Sequence, residues 1–468
     1  VPLRGALRRL AAPHVAVVVV GGLFGGAFAL LGRPFAAHDE ATHFFRAVQV
    51  ARGDLVAERR GGRLGGVLPG AVARDVRALD VVKPPPDHGS WSDIGPRLRA
   101  RPDGPPVFLD FRNTAVYPPL AYAPQAAAVA LAGAVGASTL VAMYLGRLAN
   151  LAAYLALVAL AARRFPGSGW AVAVVVLAPM SLFQGASLSG DGPTTALAVL
   201  VGASALRLAG EPGPLRRRDA AEAVAVAVAL ALCKPPYALV SLAYLAPVLR
   251  RGRPARVLLV APVAAVAVMA AWSRYAAGVF VPLRPVIDPA RDVRPAAQVR
   301  HVAGDPLGFA STLVRAAGRH GGDWARQVVG QLGRLAPDIP APVVWAWWGL
   351  AVLAALAAAG AARSGRGRAR AAPTTGAVAL GVAVLVSLAV VGAVYVYTSA
   401  VGAHDIDGVQ GRYFTPVLPL VGAALPSVGP ARRLAARPAA AAAVFGGGAA
   451  LVCGVALVAY LQRAYGWL

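Results

Sequence analysis

The sequence predicts an all-α polytopic membrane protein, and three observations carry that prediction. Hydrophobic residues make up 57% of the 468-residue chain and charged residues only 14%, at a mean hydropathy of +0.60, where soluble domains carry roughly 25% charge. Apolar runs near the length of about 20 residues that a hydrocarbon core requires recur from one end of the chain to the other. The net charge of +25 is almost all arginine, gathered in short groups between those runs, with Lys83 and Lys234 the only lysines.

Such groups hold loops in the cytoplasm by the positive-inside rule. They are spread over separate loops and are not interleaved with aromatics on one face, so no nucleic-acid partner is predicted. Cys233 and Cys453 each sit in an apolar run and match neither a disulfide nor a zinc pattern. The opening stretch has a basic head and an apolar run, which reads as an uncleaved first helix rather than a signal peptide.

Apolar runs against polar breaks place spans near 14–32, 120–136, 139–162, 169–187, 193–210, 220–234, 236–250, 256–279, 341–361, 374–399, 412–429 and 438–461. Residues 1–468 form one integral membrane domain with two long polar stretches, 33–117 and 280–340. Arg4, Arg8 and Arg9 put the N-terminus inside, so 33–117 is the first outer loop and 280–340 the second. The later arginine groups near 163, 216, 250, 366 and 432 stay inside only if 120–136, which is short and rich in Ala and Gly, is not a full span. The count is then eleven full crossings, within a range of about 11 to 13 helices.

In the second outer loop, "DPLGFASTLVRAAGRH" starts with Asp305 at an N-cap position and Pro306 at the first helical position. Leu307, Ala310, Val314 and Ala317 then recur at helical spacing, and Trp324, Val328, Leu332 and Leu335 repeat the pattern. Both segments are expected to form amphipathic helices, lying on the membrane surface or packed on the bundle.

The densest chemistry lies in "HDEATHFFRA", residues 38–47. On a helix Asp39, His43 and Arg46 fall within about 60° of one another, with Glu40 at the flank. A carboxylate beside His and Arg serves as a general base or shares a divalent cation such as Mg or Mn, and the arginine suits a phosphate. Asp39, Glu40 and His43 are therefore the candidate catalytic residues, with Asp39 and Glu40 the candidate ligands of any metal. His38, Glu40 and His43 do not have the spacing of a zinc-protease helix. The plain structural alternative is a polar helix end whose charges neutralise one another.

Other polar groups fall on the same side. "LSGDGPTT" puts Asp191 in a turn, because an acid at the centre of a span would cost roughly 2.5–3.5 kcal/mol. "CKPPY" ends an outward span with Lys234, and "AHDIDGVQGRYFTP" brings Arg412 and Tyr413 to another outer end. "NTAVYPPLAYAPQ" contributes Tyr117 at the interface. Arg46, Tyr117, Asp191, Lys234, Arg412 and Tyr413 are the candidate substrate-binding residues. Each also has a plain role: Asp191 as a cap, Lys234 as a snorkelling cation, Arg412 as an anchor.

Seven segments, "HDEATHFFRAVQVARGD", "NTAVYPPLAYAPQ", "MYLGRLAN", "LSGDGPTTALA", "CKPPY", "QVRHVAGDPLGF" and "GVQGRYFTPVLPL", resemble in this order the bacterial membrane proteins of the domain of unknown function 2142 family. That family is grouped with the GT-C glycosyltransferases, which take a sugar from a polyprenyl-phosphate carrier on the outer face of the membrane. The resemblance implies a GT-C-like helical bundle in the bacterial cytoplasmic membrane, with an acid of the first outer loop at the catalytic or metal-associated position, which maps here to Asp39 and Glu40. A proline commonly precedes the acidic pair in the family; this chain has His38.

Three functions are consistent with these residues. The leading one is a glycosyltransferase with a polyprenyl-phosphate sugar as donor and a cell-envelope glycan or lipid as acceptor, Asp39 acting as base and Arg46, Lys234 and Arg412 holding the lipid phosphate. The second is a transporter or flippase of lipid-linked sugars, which needs polar groups deep in several spans. The third is a non-catalytic envelope assembly protein.

Overall fold

Seven helices of the computed structural model are long and apolar enough to cross a membrane: Pro13–Leu31, Thr139–Arg164, Asp191–Gly210, Arg253–Val279, Ala341–Ala358, Pro373–Thr398 and Pro438–Tyr465. An eighth is added if the bent pair Gly411–Ala424 and Gly429–Ala435 counts as one span. The structure describes residues 11–79, 91–165, 167–211, 213–282, 293–337, 339–358, 372–426 and 428–466. The amino-terminal arginines and the arginine group at 363–370, on which part of the sidedness argument rests, lie outside the described residues.

The other expected spans are made of shorter pieces. Residues 169–187 form Trp170–Val176 and Pro179–Gly185, broken at the proline; 220–234 corresponds to Arg217–Ala231; 236–250 divides into the 3-10 turn Pro235–Tyr244 and the helix Leu245–Arg251. The doubted segment 120–136 is a 3-10 turn, Pro119–Tyr122, followed by a helix of only 12 residues, Ala123–Ala134. Broken helices are tolerated at membrane depth where protein surrounds them, and every residue from Trp170 to Gly190 is buried.

The bundle is organised around Asp191–Gly210, which is buried along nearly its whole length and has the lowest hydropathy of the seven. A helix surrounded by protein needs small side chains more than apolar ones, and Thr194, Thr195, Ala196, Ala198, Gly202, Ala203 and Ala205 supply them. Outer helices instead expose large apolar residues on one side, as Leu23, Val263, Leu388 and Leu451 do. Arginines meet acids at the helix ends far from Asp191: Arg164 pairs with Glu222, and Arg207 with Glu211 at 2.8 Å and Asp219 at 3.3 Å. Both cysteines are free and buried.

The first polar stretch contains a feature that the apolar pattern did not announce. Three short antiparallel strands, β1 (Glu58–Arg60), β2 (Arg63–Leu68) and β3 (Val107–Asp110), pair in that order. A Cβ at Gly65 would meet the Leu109 carbonyl oxygen, so the glycine lets β2 and β3 approach; it also hides the strand from a search for alternating apolar residues. The Tyr275 hydroxyl accepts from the Ala57 amide and the Trp272 indole donates to the Val116 carbonyl, which clamps this stretch to the helix Arg253–Val279.

In the second polar stretch, Asp305 caps the helix Pro306–Gly330 as expected, its carboxylate accepting from the Gly308 amide at 2.8 Å. The helix runs through the second repeat without a break, so Trp324 and Val328 share it, while Leu332 and Leu335 fall beyond its end. Leu307 and Val314 are 81% and 72% exposed; the first apolar repeat faces away from the protein, while Thr312, Ala316 and, from the second repeat, Val328 face inward.

Candidate functional site

The turn between the first span and the helix Glu40–Ala51 contains two non-glycine residues in the left-handed region, Phe35 at φ 60° and Asp39 at φ 56°. Aspartate tolerates that region better than most residues. Phe35 does not, and is held there by complete burial against Phe44, with ring centroids 5.7 Å apart. Such strain persists only where the surroundings over-determine it, and it clusters at functional sites. Its effect is to send adjacent acids in opposite directions.

Glu40 turns inward. Its Oε2 accepts from Arg147 Nη2 at 2.6 Å and its Oε1 from Arg147 Nε at 2.8 Å, while Oε1 also accepts from the Leu188 amide at 3.2 Å. Arg147 in turn donates to the carbonyls of Ala29, Gly32 and Arg33. Both side chains are buried. The pair joins three segments: the end of the first span, the acidic helix and the loop that leads to Asp191. Asn150 and Gln125 hold the same loop through the carbonyls of Ser187, Leu188 and Ser189.

Asp39 turns outward. It is exposed, makes no capping hydrogen bond with its side chain, and its carboxylate has no ion-pair or hydrogen-bond partner among the described residues. Its backbone carbonyl accepts from the Thr42 hydroxyl and the His43 amide, which fixes the carboxylate at the start of the helix.

Asp191 lies opposite. Its Oδ1 accepts from Lys234 Nζ at 2.8 Å and its Oδ2 is 3.4 Å from Arg412 Nε, an ion pair in which Nε makes no hydrogen bond. The Lys234 ammonium also sits 4.9 Å from the Tyr413 ring centroid and 5.5 Å from that of Tyr117, and the Arg412 guanidinium lies 5.5 Å from Tyr413. Aromatic faces attract a cation without using its hydrogen-bond donors. The Tyr237 hydroxyl fixes this wall by donating to the Tyr413 carbonyl at 2.8 Å.

His43 connects the two halves. Its Nδ1 is 2.7 Å from the Tyr122 hydroxyl and its Nε2 is 3.5 Å from Ser189 Oγ, which accepts from the Asp191 amide. Burial pushes the imidazole down to about 4; Asp39 and Asp191 are near enough to oppose that shift, and Lys234 and Arg412 near enough to add to it. His38 is likewise lowered to about 4, by burial and then by Arg412. Both rings are neutral at pH 7.

Asp39, His43, Tyr117, Asp191, Lys234, Arg412 and Tyr413 therefore share one electrostatic neighbourhood. Two expected residues do not join it. Arg46 is buried and donates to Gln49 Oε1 and to the carbonyls of Leu55 and Tyr117, so its expected phosphate-binding role gives way to a structural one. Glu40 is committed to Arg147, so it is available neither as a catalytic carboxylate nor as a second metal ligand beside Asp39. Among the described residues no three His, Cys, Asp or Glu side chains group closely enough to hold a metal ion.

Sequence reading missed Arg147, Tyr122, Ser189 and Tyr237 as participants. Arg147 carried a usable signal: an arginine nine residues into an apolar helix is expensive without a buried acid as partner. The tyrosines gave none, because interfacial and core tyrosines look alike in sequence.

A family model described as "Predicted membrane protein (DUF2142)" matches residues 23–421. No curated protein and no solved structure matches the chain significantly.

Proposed function

The chain belongs to the DUF2142 family of predicted membrane proteins, and from that premise we propose that it is a membrane glycosyltransferase. It moves a sugar from a polyprenyl-phosphate donor to a glycan or lipid acceptor of the cell envelope, on the outer face of the bacterial cytoplasmic membrane. The observation that carries the reading is the pairing of a carboxylate with no partner among the described residues, Asp39, with a cation pair, Lys234 and Arg412, across one buried histidine.

In this proposal the lipid phosphate takes the place of Asp191 on Lys234 Nζ and on the Arg412 donors that have no hydrogen-bond partner among the described residues, where charge-assisted hydrogen bonds are strongest. Asp39 accepts the proton of the acceptor hydroxyl as its oxygen bonds to the anomeric carbon. The bond from that carbon to the phosphate oxygen breaks, and the phosphate leaves with its electron pair, its charge held by the same two cations. His43, neutral and fixed by Tyr122, shapes the space between base and phosphate. Tyr117 and Tyr413 offer ring faces that hold Lys234 and flank the sugar.

The transporter reading requires ionisable groups along a path through the spans. Among the described residues the buried Asp, Glu, His and Arg side chains, Glu40, His43, Arg46, Asp75 and Arg147, instead lie in the first polar stretch or pair with it, which favours an enzyme. The orientation rests on the arginine distribution alone. Purified protein supplied with radiolabelled polyprenyl-phosphate sugars and envelope acceptors is expected to transfer label. No transfer across a broad donor panel, from protein that retains its fold and binds the lipid phosphate, would leave a binding or transport role in its place.

A further inference from the structure

Arg412 is held from its flanks. Its guanidinium meets Asp191 as a 3.4 Å ion pair in which Nε makes no hydrogen bond, so that contact alone does not fix where the side chain stands. The backbone on either side is fixed instead, by one turn of the helix Pro306–Gly330. The Gly411 amide donates to Gln327 Oε1 at 2.8 Å, and a Cβ at Gly411 would collide with the Trp324 carbonyl oxygen, so segment and helix meet backbone to backbone. Two residues beyond Arg412, Phe414 stacks on Trp324 with ring centroids 5.6 Å apart.

The chain that leads to Arg412 lies on the same second polar stretch. The Gly402 amide donates to Gln298 Oε1 of the helix Pro295–Gly304 at 2.9 Å, and the Asp405 carboxylate meets His320 Nε2 at 3.1 Å and Arg319 Nη1 at 3.3 Å. Ile406 and Val409 pack with Ala316 in a small apolar cluster. The contacts at Asp405 are about a third or more exposed, and such pairs contribute little. Gly411 is buried and adjoins Arg412 in the chain, so the Gln327 bond is the contact best placed to control the guanidinium.

We infer that Gln327 and Trp324 are positioning residues for Arg412: through Gly411 and Phe414 they aim its guanidinium at the place the anion takes beside Lys234. The inference rests on the phosphate role proposed above and adds what sets that role's geometry. A cation whose donors are already aimed binds an anion without the cost of ordering a long side chain, and a displacement of about 1 Å at such a group is enough to lose much of its effect. Glycine at 411 is part of the device, since only a residue without Cβ lets the segment lie against the Trp324 carbonyl. The second polar stretch thereby acts on the site without placing any of its own charges there.

The test uses the full chain in nanodiscs of neutral lipid, with undecaprenyl phosphate as the probe and melting temperature measured on each preparation. Gln327→Met keeps the length of the side chain and removes the acceptor; affinity is expected to fall about two- to tenfold, the range for one hydrogen bond. Gln327→Glu keeps an acceptor for the Gly411 amide and should recover most of the loss. Gly411→Ala forces the segment off the helix and should weaken binding at least about tenfold. Asp305→Ala, which removes the cap at the far end of the same helix, should lower the melting temperature and leave affinity unchanged. Wild-type affinity in both Gln327→Met and Gly411→Ala, with Arg412→Gln impaired, would overturn the inference and spare the phosphate role. Affinity that merely follows melting temperature, Asp305→Ala losing as much as Gln327→Met, would also overturn it. Wild-type affinity in Arg412→Gln would remove the phosphate role of Arg412 and the inference with it.

Discussion

Glu40 and Arg147, 107 residues apart in the chain, form a two-point ion pair in the closed interior, at 2.6 and 2.8 Å. The acid beside Glu40 in sequence, Asp39, faces the opposite way with no partner among the described residues. One residue of left-handed backbone, Asp39, separates a buried, paired acid from an exposed one.

Glu40→Gln is expected to destabilise the protein. Removing one member of a buried ion pair leaves the other uncompensated, at a cost of about 3–5 kcal/mol, and here it also loosens the loop that carries Asp191. Thermal unfolding in detergent should fall by several degrees, and Glu40→Asp, too short to reach both guanidinium nitrogens, should not restore it. An unchanged melting temperature would remove the structural role.

Lys234→Gln leaves the Asp191 carboxylate, among the described residues, with only the long contact to Arg412. Affinity for a lipid phosphate is expected to fall at least about tenfold, since a charge-assisted hydrogen bond contributes about 1.5–3 kcal/mol. Lys234→Arg should recover part of it, because charge rather than shape dominates there. Equal binding by wild type and Lys234→Gln would contradict the anion-site reading.

Acid should weaken the fold through His38 and His43. An unfolded imidazole takes a proton near pH 6.5, but burial withholds it from the folded side chains until about pH 4. The unfolded chain therefore binds more protons as pH falls, and stability drops from about 6.5 down to about 4, by about 1.4 kcal/mol per pH unit for each histidine fully engaged. Above pH 6.5 neither contributes a slope. His43→Gln should flatten the decline measured by chemical unfolding between pH 7 and 4; an identical slope would show that the folded ring is freely protonated.

The membrane class was legible because composition and apolar run length follow directly from the bilayer's thickness, and the short segment 120–136 was rightly doubted for the same reason. Cap chemistry at Asp305 and Pro306 was legible too, since it is local. The breaks within the buried spans were not, because a hydropathy window averages across a proline such as Pro179. At the site, the sequence brought Asp39, Asp191, Lys234 and Arg412 to one side through topology. It could not tell Asp39 from Glu40, or the site arginine Arg412 from Arg46, because those distinctions depend on φ at Asp39 and on partners as distant as Arg147 and Tyr117.

The most direct measurement is sugar transfer by Asp39→Asn, with radiolabelled polyprenyl-phosphate sugar as donor and melting temperature recorded on the same preparation. An exposed carboxylate with no partner among the described residues contributes little to stability, so the melting temperature should match wild type. Turnover should fall by about 10²–10⁴-fold, the range for loss of a general base. A variant that transfers sugar at the wild-type rate would contradict the assignment of Asp39 as the base.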